Sequence, residues 1–164
     1  MKSRCILFAV FVATFIEVTT GQTAGKKPLS HDVYDQWKKI SGESISNDGK
    51  WVVYSAEPQE GDARLVIYNT ESRRYDTIPR GMNAKISESS DFVVFSIKPF
   101  FAEVKKLKIA KKKEDDLPKD SLGIVSLATM KMTKIARVKS FKLPEKGSGW
   151  VAYQLEKEPA DTTK

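Results

Sequence analysis

Ile45-Ser46-Asn47-Asp48-Gly49-Lys50-Trp51-Val52-Val53-Tyr54-Ser55 decides the fold, because it returns as Ile86-Ser87-Glu88-Ser89-Ser90-Asp91-Phe92-Val93-Val94-Phe95-Ser96. Each copy is a short polar turn followed by an aromatic residue, two valines, an aromatic residue and a serine. The step from Trp51 to Phe92 is 92 − 51 = 41 residues. A weaker third copy runs from Pro144 to Tyr153, and its Trp150 stands 150 − 92 = 58 residues after Phe92. An insertion about one helix long therefore separates copies two and three.

Helical repeats of this length need two amphipathic helices per unit. Here each unit holds short β-branched and aromatic runs divided by turn residues, which suits a propeller blade of about four strands. The runs Trp51–Tyr54 and Phe92–Phe95 are continuously apolar. Such a run fits a strand covered on both faces, as a blade between two neighbours would be. Further strands follow in hairpin order at Leu65–Tyr68, Tyr75–Pro79, Leu122–Leu127 and Lys131–Ile135, giving an antiparallel meander. Two of these hairpins close alike, with Ile78-Pro79-Arg80 and Ile135-Ala136-Arg137. The expected fold is all-β: antiparallel β-propeller blades, two of them and the start of a third, open, over residues 43–157. A lysine-rich insertion, helical or disordered, occupies 101–119, and a polar tail fills 158–164. No further hairpin follows the third copy, so the chain reads as a piece of a longer protein.

Ahead of the repeat, residues 25–42 read as a short helical segment. Ser30 is a suitable cap, Val33, Trp37 and Ile40 form one apolar stripe, and Gly42 suits a stop.

The chain has 164 residues, 40% of them hydrophobic, enough for a packed core. Its net charge of +7 on its own suggests anionic partners. The N-terminus points elsewhere. Lys2 and Arg4 precede an apolar run from Cys5 to Ile16, and small residues follow up to Ala24. This is the pattern of a secretory signal peptide over 1–24, with cleavage after Gly21 or Ala24. The run is too short for a transmembrane helix and stops at Glu17, so no membrane anchor is expected after cleavage. Cys5 is the only cysteine, so the mature chain holds no disulfide. The expected location is outside the cytoplasm, in the periplasm.

Little of the sequence carries chemistry. His31 is the single histidine and reads as a solvated helix residue, since nucleophilic catalysis needs a convergent nucleophile and orienting acid. No Gly-x-Ser-x-Gly elbow occurs, and Gly147-Ser148-Gly149 reads as a turn. One histidine and no mature cysteine cannot build the usual metal spacings. Asp115 and Asp116 belong to a charged loop. No catalytic, cofactor-binding or metal residue is assigned, and no cofactor is expected. Lys105, Lys106, Lys108, Lys111, Lys112 and Lys113 put six lysines in nine residues, without interleaved aromatics for base stacking. Nucleic acid is not an expected partner; the run reads as a solvated insert, with an anionic membrane surface as the alternative.

Four segments in order carry a family resemblance: the leader, Asp32-Val33-Tyr34-Asp35-Gln36-Trp37, Ile45 to Trp51, and Phe141-Lys142-Leu143-Pro144 on to Trp150. Together they resemble the N-terminal part of exported bacterial serine peptidases of the prolyl oligopeptidase family, over about residues 26–157. The resemblance implies a parent with a β-propeller that restricts access to a C-terminal α/β-hydrolase domain, which would be this chain's partner, with peptides as substrates. In that family the hydrolase domain carries the serine, aspartate and histidine triad, and none of the three maps onto this sequence. A glutamate pair that holds the substrate's amino terminus in one branch of the family has no counterpart here. The chain alone is expected to be inactive. The alternative is a non-catalytic exported propeller that binds envelope proteins or glycans.

Overall fold

The computed structural model describes residues 37–147 and 149–157. Its first sheet is a meander of β1 (Lys38–Ile45), β2 (Trp51–Pro58), β3 (Arg64–Asn69) and β4 (Tyr75–Pro79). The second repeats it with β5 (Gly81–Ile86), β6 (Phe92–Ile97), β7 (Ser121–Ser126) and β8 (Met132–Ile135). Helix α1 (Phe101–Ile109) and a single 3-10 turn at Glu114–Asp116 lie between β6 and β7. A third sheet has two strands, β9 (Val138–Lys142) and β10 (Ala152–Leu155). All pairings are antiparallel.

The repeated stretch occupies the same place each time. Trp51 opens β2 and Phe92 opens β6, the second strand of each blade. Trp150 comes two residues before β10, the second strand of the third blade. The turns before Trp51 and Phe92 share their main hydrogen bonds. Ser46 N–H donates to the Trp51 carbonyl at 2.9 Å, and Ser87 N–H to that of Phe92 at 2.9 Å. The buried serine hydroxyl oxygen also accepts the amide of that aromatic residue, Ser46 that of Trp51 at 2.9 Å and Ser87 that of Phe92 at 3.1 Å. Both turns need a left-handed residue, Gly49 at φ 72° and Ser90 at φ 60°.

The first strand of the first blade corrects the end, 38–42, of the helical segment expected over 25–42. Residues 25–36 lie outside the described residues, but Lys38 to Ile45 form β1. Ile40 pairs with Ala56 and Ser41 with Ser55. Gly42 is therefore not a helix stop. It sits at φ 61° in a bulge between Ser41 and Ser44. Asn83 takes φ 54° in the corresponding bulge of β5. Sheet pairing along the whole of β2 outweighs the weak helical pattern of Lys38 to Ile40. The apolar run from Trp51 therefore lies in the second strand of its blade.

Burial follows the blade geometry. Val53, Leu65 and Ile67 of the first blade meet Ala84, Val93, Phe95, Ile97, Val125 and Leu127 around the second in one cluster. The opposite face of the second blade, with Val94 and Leu122, packs on Val138, Phe141, Leu143 and Val151 of the third. Val93, Val94 and Phe95 are thus all fully buried, as a strand covered on both faces requires. The Phe95 ring lies against its strand partner Gly123, where a Cβ would come within 2.3 Å of a ring carbon. Glycine here is a packing requirement.

Candidate functional site

The two ends of the sheets are built differently. At one end the β1–β2, β5–β6 and β9–β10 turns form a ladder. Asn47 Nδ2 donates to the Glu88 carbonyl at 2.9 Å, and the Glu88 carboxylate accepts from Gly147 N–H. Asp48 is held ionised below the ordinary carboxylate range. The Ser46 hydroxyl, 2.5 Å away, is the main cause, and the Lys50 amide at 3.1 Å comes next.

The other end carries the cleft. Residue 80 joins β4 to β5 in a left-handed conformation, φ 62°. Arg80 N–H donates to the Ala63 carbonyl at 2.7 Å, and its own carbonyl accepts Lys98 N–H at 2.9 Å. Its guanidinium donates to the Lys98 carbonyl at 2.9 Å and lies 3.9 Å from the centre of the Phe100 ring. Lys98 pairs with Asp120 at 2.6 Å. Arg137 repeats the junction at φ 58°, with its carbonyl accepting Glu156 N–H at 2.8 Å and its guanidinium donating to the Lys157 carbonyl. The recurring Ile-x-Arg was visible in the sequence, but its role as a tie between blades was not read from it.

Helix α1 is fixed beside this junction. Its first free amide, Phe101 N–H, is capped at 2.8 Å by Asp62 from the β2–β3 loop, and Lys105 reaches Glu60 of that loop at 2.8 Å. The insertion over 101–119 thus opens as a helix tied to the first blade. A cleft of about 800 Å³ lies between the helix, the β2–β3 loop and the junction. Arg80, Lys98 and Lys112 stand on its walls with Glu57, Asp62 and Asp120. Charges of both signs around partly apolar walls can hold a polar chain. No serine, threonine, cysteine or histidine among the described residues lines it.

Among the described residues no group of three or more His, Cys, Asp or Glu could hold a metal ion. No helix among them is long and apolar enough to cross a membrane. His31 and Ser148 lie outside the described residues. The lysine run is placed on α1 and the loop after it, with every lysine exposed.

The sheet stacking, the repeated turns and the repeated junctions settle the architecture. This chain is an open run of β-propeller blades. No family model matches it, and comparison by sequence with characterised proteins gives no match. Among solved structures it is similar to the acylaminoacyl peptidase of Pyrococcus horikoshii, with a TM-score of 0.47 and 14% identity over 67% of this chain and 16% of that one. An acylaminoacyl peptidase in complex with Z-Gly-Gly-Phe-chloromethyl ketone gives 0.47 and 14% over 68% and 16%. The β-propeller domain of the Trilobed protease from Pyrococcus furiosus gives 0.44 and 15% over 64% and 31%. The chain thus spans about a sixth of each acylaminoacyl peptidase, and nothing of their chemistry is transferred by overlap at this level.

Proposed function

We propose that this chain is the N-terminal propeller portion of an exported serine peptidase of the prolyl oligopeptidase type, acting in the periplasm. The observation that carries the reading is the blade series itself: equivalent strands 41 residues apart, stacked through matched apolar faces and joined by matched arginine junctions. The order of the leader, the segment before the repeat and the Phe141 to Trp150 segment supports the family. In this reading the blades stand over a C-terminal hydrolase domain and gate the access of peptides to it. The mixed-charge cleft beside Arg80 lies at one rim of the blades and meets the peptide chain on its way in.

The test uses an antibody against this chain and a fluorophosphonate probe on a periplasmic fraction of the source cells. The expected result is one labelled polypeptide, larger than 18.4 kDa, that the antibody captures, while the purified chain stays unlabelled. Capture of a protein that the probe never labels overturns the peptidase reading in favour of a binding module.

A further inference from the structure

The insertion carries a second surface beside the cleft, and Phe101, Val104 and Lys108 border both. Phe101, Val104, Lys105, Lys108 and Ile109 share one side of α1 and line a shallow depression of about 450 Å³. Ile109 is 74% exposed and Phe101 37%. Around them Lys106, Lys108, Lys111, Lys112 and Lys113 are exposed, and none takes part in an ion pair among the described residues. A helix that is only solvated needs the lysines, but gains nothing from an isoleucine and a phenylalanine beside them. Apolar groups flanked by unpaired cations are what an anionic lipid surface takes up.

We propose that α1 and the loop after it form a docking surface for an anionic membrane. Phe101 and Ile109 enter the headgroup boundary, and Lys106, Lys108, Lys111, Lys112 and Lys113 meet the lipid phosphates. Charge complementarity selects this partner. Nucleic acid fits less well, because Phe101 is the one aromatic residue of α1 and already faces Lys105, 5.6 Å from the ring centre. The proposal does not require the peptidase reading, since it rests on α1 and the lysines of the loop after it.

The experiment is flotation of the whole chain with vesicles of phosphatidylcholine, with and without phosphatidylglycerol. Binding is expected only to the anionic vesicles, and it weakens as salt rises. Each lysine of the patch changed to glutamine weakens it by about fivefold. Ile109→Ser weakens it while leaving the thermal transition in place, because that side chain is exposed. Changing Lys106, Lys108 and Lys111 together removes three charges from the patch and abolishes most of the binding, whereas a control with Lys85, Lys131 and Lys139 changed to glutamine removes three from the blades and leaves binding within about twofold. Equal loss in that control shows attraction by net charge alone and overturns the proposal. So does equal binding to neutral vesicles, or retention by a DNA oligonucleotide without binding to vesicles.

Discussion

Tyr54 and Phe95 hold the same position in successive blades, 95 − 54 = 41 residues apart, and meet different surroundings. Phe95 points back at the first blade and is fully buried over Gly123. Tyr54 points away from the second blade and is only half-buried, with Val66 in place of the glycine as its strand partner. Two residues with the same local sequence thus differ in burial because of what is stacked on them. In a stacked series, stability belongs to the interfaces between units as much as to the units.

The comparison breaks most readily at Phe95. Phe95→Ala should cost about 3–5 kcal/mol, through lost burial and the cavity left beside Gly123. Tyr54→Ala should cost about 1 kcal/mol, since a half-buried side chain loses only part of its transfer energy. Urea titration of both variants measures the gap. Equal losses would mean that the outer face of the first blade is as well covered as the inner one.

The two turns sharpen it further. A Cβ at Gly49 meets nothing within 4 Å, so Gly49→Ala tests backbone strain alone, at about 1 kcal/mol. Ser90→Gly relieves the same strain but loosens the unfolded chain, and should fall within about 0.5 kcal/mol of the parent. If Gly49→Ala left the urea midpoint unchanged, the left-handed turn would not be what sets the strand entry.

The smallest effect is electrostatic and belongs to the first turn only. The serine hydroxyl and the Lys50 amide favour ionised Asp48, so its folded pKa lies below the unfolded one. Its contribution is therefore full above about pH 4 and fades as pH falls through the lower folded value. The stability difference between the parent and Asp48→Asn should shrink on acidification below pH 4. A difference that holds constant down to pH 2 would remove Asp48 from the account.

The blades were legible in the sequence because turn chemistry, apolar runs and spacing repeat together at Ile45–Ser55 and Ile86–Ser96. β1 was not, because Lys38 to Ile45 alternates poorly and is strand only through its partner β2. The cleft was invisible for a similar reason. Asp62 and Arg80 are 18 residues apart and are brought to one place by the β3–β4 hairpin. The lysine run was plain to read, but its anchorage was not, since the Asp62 and Glu60 contacts span 39 and 45 residues.

The junction at Arg80 also sets an order in time. Arg80 binds backward to Ala63 and forward to Lys98, so the tie between the first two blades cannot form until residue 98 is available. On a ribosome, which supplies the chain from its N-terminus, the first sheet can receive β5 early but stays unclasped until residue 98 has emerged. The insertion is made only after that point, because α1 begins at Phe101. A long segment placed after β6 delays the third strand of its own blade but leaves the clasp between neighbours already closed, and this is a place where a growing chain can carry extra length.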